Sequence, residues 1–452
     1  MTDAEILLDV EIEERRRKIA ALPLMQFIPA ITPQYFAPEH LKPLIDVLDR
    51  ICSGEPVKVV CSSPPQHCKT ESILHFISKY FLLHRDHNLA YVTYEATLAQ
   101  TKSLQAQRIA ERALVPFGDK QSMSQWETDK GGKLLVTGVG GPLTGHGLNG
   151  AIVDDPLKNA QEASSQLIRD RIEEWFNSVL ATRLAPGGFI IVNMARWHED
   201  DLYACLAKRK GWEIINIPAI NEHGTALCPA RKSIEDLLQY KAQSEYFFES
   251  LYQGNPRSIG SCVFRYPKEY DALPKLEMIS IGIDMNYGHN PKGDYSIIFV
   301  EGRDVIGDRY VLEIWRDQVR SDEFKPILKF YKTKYKCPFY AFASSTEQGV
   351  IDLLNQDTDL QIKFIQAITN KFIRSQPAAG AWNTGHILWP SKQYQKEHGY
   401  PAWCDPCLSE ILSFTGKNDK NDDVIDGLAG ADYPYYSGLD YTGWEKHYGI
   451  GA

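Results

Sequence analysis

The sequence lacks the features of a membrane protein, a disulfide-rich secreted protein or a nucleic-acid coat. No apolar run reaches the roughly 18 residues that a membrane-spanning helix needs. The first residues, 1–23, form a charged amphipathic pattern, which is unlike a secretory signal. The nine cysteines are scattered and odd in number, which favours reduced thiols in a cytosolic setting. A formal net charge of −9 disfavours a protein that passively coats nucleic acid, but it leaves open an enzyme with a local basic groove.

One cysteine pair, Cys404 and Cys407, has C-x-x-C spacing. Zinc sites of this kind need a second pair of ligands, and the neighbouring sequence offers none. Two ordinary thiols in a turn are therefore favoured over a zinc site.

The order of strand and helix patterns indicates two α/β regions. A chain of 452 residues is long enough for two or three domains. Strand patterns at 57–61, 89–94, 133–139, 150–153, 188–194 and 213–217 alternate with helical patterns at 71–84, 95–113, 160–182 and 199–209. This alternation predicts a parallel sheet with helices on both faces. After a stretch rich in Pro, Gly, Ser and Tyr at 255–275, three successive strand patterns predict a meander, followed by further αβ units.

The most informative string is SPPQHCKT at 63–70. A short apolar strand precedes it, and a helical pattern follows it from Glu71 to Leu83. In a P-loop, this strand–loop–helix context lets backbone N–H groups and a lysine hold phosphates. Two positions depart from the P-loop pattern, because Ser63 and Cys68 stand where glycines are usual. The loop residues predicted to hold nucleotide are Ser63, Gln66, His67, Cys68, Lys69 and Thr70.

About 80 residues later, the apolar strand AIVDDP at 151–156 ends in Asp154 and Asp155. In P-loop enzymes a hydroxyl and an aspartate hold Mg²⁺, and a second acid handles the attacking water. The loop and the two acids together predict an enzyme that hydrolyses a nucleoside triphosphate.

A second set of acids lies in the C-terminal half. Asp284 ends a predicted strand, Asp294 precedes the next strand, and Asp422 and Asp423 open a predicted helix. Carboxylates that converge from separate elements can hold two Mg²⁺ or Mn²⁺ ions for phosphodiester cleavage. The alternative also stays open, in which Asp284 only ends a strand and Asp422 and Asp423 only cap a helix.

Taken in order, several strings resemble the large subunit of tailed-bacteriophage terminases. They are PPQHCKT, TGHGLNGAIVDDP, WFNSVLATRLAPGGFIIVNMARWHEDDL, FFESLYQGNP, SIGIDMN and NDDVIDGLAG, and they span about 30 to 436. The resemblance implies an α/β fold with an N-terminal P-loop ATPase domain of the additional-strand class and a C-terminal ribonuclease-H-like nuclease domain. The corresponding limits are 1–255 for the ATPase with its helical N-terminal segment, 256–275 for a linker, 276–437 for the nuclease and 438–452 for a tail.

For the ATPase, the resemblance implies that Lys69 contacts the β- and γ-phosphates of ATP and that Thr70 ligates Mg²⁺. Asp154 holds the ion through water, and Asp155 positions the hydrolytic water. Asp155 replaces the glutamate most P-loop motors use, and Gln66 stands where many terminases have an arginine.

Two further roles are assigned by analogy. His146 stands where relatives often carry an arginine finger, so Arg183 and Arg196 are the alternative candidates, unless they pair with acids such as Glu199 or Asp200. Asn193 is predicted to sense the γ-phosphate.

For the nuclease, the resemblance implies metal binding by Asp284 and Asp423, helped by Asp422 and Asp294. A third acid is expected after the strand at 339–343, but Ala343 or Ser344 occupies that position, so Glu347 is the candidate. Lys371 and Arg374 are predicted to contact the scissile phosphate, unless they form a solvated surface pair.

The implied activity is ATP-driven packaging of double-stranded DNA into procapsids, with cleavage of concatemers. The implied partners are duplex DNA, the small terminase subunit, the portal protein and further copies in a ring, taken as a pentamer, in the host-cell cytoplasm and away from membranes. A DNA repair or recombination ATPase-nuclease is the alternative, and a decayed prophage protein without activity is a third hypothesis.

Overall fold

Two α/β units account for the described part of the chain. The computed structural model describes residues 3–35, 37–143, 145, 147–256, 263–285, 295–319, 321–357, 360–367, 370–399, 401–417, 419 and 421–436. One unit is drawn from Met1–Leu237 and Phe247–Arg257, and the other from Leu238–Tyr246 and Ser258–Ala452. The predicted α/β class is confirmed, whereas the domain limits inferred from the sequence stay predictions.

The first unit surrounds one sheet with helices. Its helices are α1 Asp3–Ala20, α2 Leu24–Ile31, α3 Lys42–Cys52, α4 Lys69–Leu83, α5 Ala96–Arg112, α6 Ala160–Ser164, α7 Gln166–Trp175 and α8 Leu202–Ala207, with short 3₁₀ or π turns at Glu39–Leu41, Phe176–Leu180, Ala181–Arg183 and Phe248–Tyr252. Its strands are β1 Lys58–Ser62, β2 Asn88–Thr93, β3 Phe117–Gln121, β4 Gln125–Thr128, β5 Lys133–Gly138, β6 Leu148–Asp154, β7 Leu184–Met194 and β8 Glu213–Asn216. Helices α9 Ile234–Gln243 and α10 Glu245–Phe247 include the points where the chain passes between the units.

The strand order brings the loop and the acids to one sheet edge. In the described residues the order is β3-β4-β5-β2-β6-β7-β1-β8, and β5, β2, β6, β7, β1 and β8 run parallel. Strand β7 lies between β1, which leads into the P-loop, and β6, which ends in the acids. An additional-strand P-loop fold requires this insertion. The carboxyl ends of β1, β6 and β7 therefore meet at one edge, where such sheets bind ligands.

Two expectations about this unit are wrong. Strands β3 and β4 form an antiparallel edge that the parallel-sheet prediction omitted, because short polar strands carry little periodic signal. The predicted helix at 160–182 is broken, since Ser165 adopts an extended conformation between α6 and α7. The Asn159 side chain caps α6 by accepting the backbone N–H of Glu162, so the chain starts a helix twice.

The second unit contains a mixed sheet. Its strands are β9 Lys268–Tyr270, β10 Leu276–Asp284, β11 Ser296–Asp304, β12 Arg309–Asp317, β13 Phe339–Ala343, β14 Ile362–Gln366 and β15 Ile387–Pro390. Its helices are α11 Ser321–Tyr335, α12 Ser345–Asp357, α13 Lys371–Arg374, α14 Gln376–Asn383, α15 Lys392–Glu397, α16 Cys404–Ser413 and α17 Asp423–Tyr436. The order in the described residues is β14-β13-β10-β11-β12-β15-β9. The predicted meander is β10-β11-β12, and β13 joins β10 in parallel. Residues 268–270, inside the predicted linker, are a strand paired with β15.

Helix α17 packs closely against the centre of this sheet. A Cβ on Gly282 of β10 would lie 1.9 Å from the backbone oxygen of Gly427 and 2.3 Å from the backbone nitrogen of Ala431. Only glycine leaves room for this approach. The close packing brings the N-terminal turn of α17, with Asp423, beside the end of β10, with Asp284.

Candidate functional sites

The loop between β1 and α4 takes a left-handed backbone conformation at two residues that are not glycine. Gln66 and Cys68 have φ of 63° and 66°, the left-handed region that non-glycine residues adopt at a cost. The buried His67 ring donates its Nδ1–H to the Pro65 carbonyl oxygen at 2.8 Å, and burial lowers the pKa of His67 to about 4. Among the described residues, the buried Oγ of Ser63 and Nε2 of His67 have no hydrogen-bond partner.

Lys69 and Thr70, the first residues of α4, each contact one of the two acids. Lys69 Nζ lies 2.9 Å from Asp155 Oδ1, and Thr70 Oγ1 donates to Asp154 Oδ2 at 2.8 Å. Two side-chain contacts between residues more than 80 positions apart thus connect the loop with the end of β6. The order of the strands predicts this proximity, and the structure brings these four side chains together.

Asp154 is buried and accepts three side-chain hydrogen bonds. Besides Thr70, the donors are Tyr91 Oη at 2.8 Å and Asn193 Nδ2 at 2.6 Å. Burial and the neighbouring charge of Asp155 raise the pKa of Asp154, while Lys69 and the hydrogen bonds oppose that rise. Sequence reasoning missed Tyr91. The available signal was its place in β2, the parallel neighbour of the acid strand β6.

Asp155 occupies a strained position with φ of 50°. Its backbone N–H donates to Asn193 O at 2.8 Å, and its backbone oxygen accepts the N–H of Tyr94 at 3.1 Å. Its Oδ1 also accepts the Ala195 N–H at 2.9 Å. Bonds to β7 on one side and to the end of β2 on the other hold the carboxylate toward Lys69.

These donors suit a magnesium nucleotide. A hydroxyl and buried carboxylate oxygens are the ligands that hard divalent cations prefer, and the ammonium of Lys69 can pair with phosphate. Lys69 and Thr70 also sit at the N-terminus of the 15-residue helix α4, where free N–H groups favour anions.

The two arginine candidates differ in their surroundings. The Nε of Arg196 is buried and paired with Asp201 Oδ1 and Oδ2 at 3.0 and 2.9 Å, and its guanidinium lies 4.3 Å from the Tyr203 ring centroid. Its partner is therefore Asp201 and neither Glu199 nor Asp200. Arg183 ends the 3₁₀ turn, and its buried Nε has no hydrogen-bond partner among the described residues. His146 lies outside the described residues.

In the second unit, a single ammonium lies among four carboxylates. Lys371 Nζ is 2.8 Å from Asp422 Oδ1, 3.1 Å from Asp426 Oδ2, 3.9 Å from Asp284 Oδ2 and 4.0 Å from Asp423 Oδ1. Although burial opposes its charge, the carboxylates of Asp426, Asp284 and Asp422 raise the pKa of Lys371.

Asp284 has a strongly perturbed carboxyl group. Burial and the charges of Asp426 and Asp423 raise its pKa well above the usual range, whereas Lys371 and Arg374 lower it. Arg374 pairs with Asp426 through Nε and Nη2, one to each carboxylate oxygen. Asp423 Oδ2 accepts the Tyr295 N–H at 3.2 Å.

The carboxylate oxygens of this cluster are ligands of the type that Mg²⁺ and Mn²⁺ prefer. In this structure the Lys371 ammonium supplies the positive charge among them. Within the described residues, no three His, Cys, Asp or Glu side chains are arranged as a ready ligand set for one ion. The chemistry of the cluster fits a divalent cation, but its present arrangement is built around Lys371.

Comparison with known proteins finds a family similarity in the first half of the chain. Residues 60–269 match the family model described as the N-terminal part of the T4likevirus-type large terminase subunit. This range covers the P-loop and the acid strand. This part of the chain is therefore similar to the N-terminal part of large terminase subunits.

Solved terminases are distant in sequence. The large terminase of a thermophilic bacteriophage, in complex with ADP, is 12% identical with a TM-score of 0.48, over 85% of this chain and 95% of that one. The bacteriophage HK97 large terminase is 11% identical with a TM-score of 0.37, over 90% and 98%. The zinc-bound large terminase nuclease of the thermophilic phage G20c is 16% identical with a TM-score of 0.29, over 40% and 99%. No curated protein matches the chain.

Three further acids of the second unit, Glu347, Asp294 and Asp426, differ in what the structure shows of them. Glu347 Oε2 accepts the Ser344 N–H at 2.6 Å and so caps its own helix, α12. Asp294 lies outside the described residues. Asp426 was missed as a site residue, although its i,i+3 spacing from Asp423 places both acids on one face of α17. Along the described residues, no helix combines the length and apolar character needed to cross a bilayer.

Proposed function

We propose that this chain is the large subunit of a phage DNA-packaging motor, which hydrolyses ATP to translocate double-stranded DNA and cleaves concatemers. The observation that carries the proposal is the double contact between loop and acid strand, Lys69 to Asp155 and Thr70 to Asp154, within the segment that matches the terminase family.

In the ATPase unit, Lys69 would leave Asp155 and pair with the β- and γ-phosphates of ATP. The released Asp155, still held by the Ala195 N–H, would orient the attacking water. Thr70 and Asp154 would hold Mg²⁺, which supplies neutralisation of phosphate charge when bound. Asn193, hydrogen-bonded to Asp154, would report the state of the γ-phosphate along β7, and Arg183 is the better placed finger because Arg196 is internally paired.

In the second unit, the strand order β12-β11-β10-β13-β14 supports a ribonuclease-H-like nuclease. Asp284, Asp422 and Asp423 would hold Mg²⁺ or Mn²⁺, which activates water and stabilises the leaving oxygen when bound. Lys371 and Arg374 would contact the scissile phosphate. Glu347 and Asp294 remain proposed helpers of this site. Duplex DNA, the small subunit, the portal and a ring of copies, taken as a pentamer, are the proposed partners.

The first experiment measures ATP hydrolysis by the full chain and by Lys69→Ala. We expect the rate to fall about 10²–10³-fold, because the ammonium stabilises charge on the transferred phosphoryl group. Lys58→Ala, an exposed lysine on β1, is the matched control and should hydrolyse ATP normally. Normal hydrolysis by Lys69→Ala would refute the ATPase assignment.

The second experiment measures plasmid cleavage with Mg²⁺ or Mn²⁺. Asp284→Asn should abolish cleavage, whereas Asp352→Asn, which changes an exposed acid of α12, should not. A repair or recombination enzyme uses the same residues. A requirement for procapsid and portal in a DNA-protection assay would separate packaging from that alternative.

A further inference from the structure

The position of Lys371 among the acids points to a role in addition to contact with DNA. Its side chain is only 18% exposed, and its ammonium also donates to the backbone oxygen of Asp422 at 3.0 Å. The contacts to Asp284, Asp422, Asp423 and Asp426 range from 2.8 to 4.0 Å. The ammonium of Lys371 therefore lies within 4.0 Å of an oxygen of each of the four carboxylates.

The two basic residues of α13 hold the cluster in different ways. Arg374 is fixed to Asp426 by a planar two-point contact, which leaves it little freedom. Lys371 is a compact charge on a flexible stem, and its closest carboxylate contact is a single bond at 2.8 Å to Asp422. The lysine can leave the cluster by rotating its side chain, whereas the arginine cannot leave without breaking both bonds.

A divalent ion and the ammonium need the same oxygen atoms. Two cations within a few Å of each other repel, and a divalent ion is repelled more strongly than a monovalent one. The lysine ammonium and a divalent ion therefore weaken each other's binding to the cluster.

We propose that Lys371 is an internal counter-cation that closes the acidic cluster in the metal-free protein and competes with the divalent ion for Asp284, Asp422 and Asp423. This inference rests on the proposed nuclease function. Under this competition, the metal affinity depends on how strongly the acids hold the lysine. The lysine becomes available to a phosphate only when the metal has taken its place. Asp426, held by Arg374, is the carboxylate that keeps the lysine near the site.

The test is a calorimetric titration of the full chain with Mn²⁺, in the absence of DNA, together with Mn²⁺-induced shifts in melting temperature. Lys371→Met removes the charge but keeps the stem, and Lys371→Gln is a second charge-free variant in case the first folds poorly. We expect both to bind Mn²⁺ at least about tenfold more tightly than the unmodified chain. We also expect the metal-free variants to melt at lower temperature, because the acids lose their counter-charge.

Two controls separate competition from a general change in charge. Lys371→Arg keeps the positive charge and should retain the weaker affinity. Lys329→Met removes an exposed lysine of α11 and should leave Mn²⁺ binding unchanged. Equal or weaker Mn²⁺ binding by Lys371→Met and Lys371→Gln would overturn the proposal.

The proposed nuclease site is tested in the same titration. If Asp284→Asn abolishes Mn²⁺ binding while the Lys371 variants bind like the unmodified chain, only the competition is refuted. If Asp284→Asn binds Mn²⁺ normally, the metal site and the inference fall together.

Discussion

Tyr91 is the residue whose role was least visible in the sequence. Its buried hydroxyl shares Asp154 Oδ2 with Thr70, and the Asn193 amide holds the other oxygen of the same carboxylate. A carboxylate fixed by three donors keeps one orientation when the nucleotide arrives.

Tyr91→Phe should slow ATP hydrolysis about tenfold, because one hydrogen bond to a charged group is lost while the ring still packs. The melting temperature should change little by comparison. Tyr94→Phe, three residues along the chain, is the matched control. An equal loss of rate in both variants would show that Tyr91 does not position Asp154.

His67 predicts how stability depends on pH. Burial lowers its pKa to about 4, so the folded protein keeps the ring neutral while the unfolded chain protonates it near pH 6.5. The unfolded state therefore binds more protons, and stability falls as the pH drops from about 6.5 to about 4.

His67→Gln should make this fall in melting temperature less steep, as measured by calorimetry between about pH 7 and pH 4. His223→Gln, which changes a side chain that is 79% exposed, should leave the slope as it is. Identical slopes in all three proteins would contradict the argument.

Sequence reasoning predicted most of the acids of the two candidate sites and several of their partners, but it missed Tyr91 and Asp426. Lys69, Asp154 and Asp155 follow from motif spacing, because each ends or begins a periodic element. Tyr91 and Asp426 carry no motif of their own, and their proximity depends on strand order and on the rotation of a helix. Glu347 accepts the Ser344 N–H at its own helix N-terminus, and its role at the metal site stays a prediction.

At the scale of elements, strong periodicity predicted β1, β2, β5, β6 and β7 to within a few residues. The hairpin of β3 and β4 and the break at Ser165 were not predictable in this way, because local caps and edge pairing decided them. The contact between α17 and β10 depends on small residues on both sides, which a count of apolar positions overlooks.

Gly282→Ala should destabilise the second unit by about 1–3 kcal/mol, because the added methyl group meets backbone atoms of α17 that cannot move aside alone. It should also weaken DNA cleavage by displacing Asp423 from Asp284. Denaturant unfolding and plasmid cleavage measure the two effects.

The comparison is Gly349→Ala in α12, where a Cβ meets nothing within 4 Å. Alanine there should stabilise the helix by about 0.5–1 kcal/mol. A Gly282→Ala protein as stable as the unmodified chain would mean that α17 is free to shift.

At the scale of the whole molecule, the second unit includes residues that precede the predicted linker. Ser244 Oγ lies 3.3 Å from Gln376 Oε1, and the Tyr246 and Phe372 rings are 4.8 Å apart at 82°. Helix patterns in the sequence could not show that residues 238–246 pack with the later part of the chain, because local periodicity carries no information about long-range partners.

A fragment of residues 238–452 should therefore melt several degrees higher than one of residues 258–452, since an aromatic pair alone contributes about 0.5–1.5 kcal/mol beyond its area. Thermal unfolding followed by circular dichroism makes the comparison. Equal melting temperatures would place the limit of the unit after residue 257.

Lysine–carboxylate pairs have a consequence for how the protein responds to its solution. Lys69 is paired with Asp155 at 2.9 Å and Lys371 with Asp422 at 2.8 Å, so each site already contains an internal ion pair. In the proposed functions, an incoming phosphate or metal ion has to displace the partner that each group already has. Salt should screen these existing attractions less than it screens contacts to an exposed DNA backbone, because the Lys69 and Lys371 side chains are only 8% and 18% exposed.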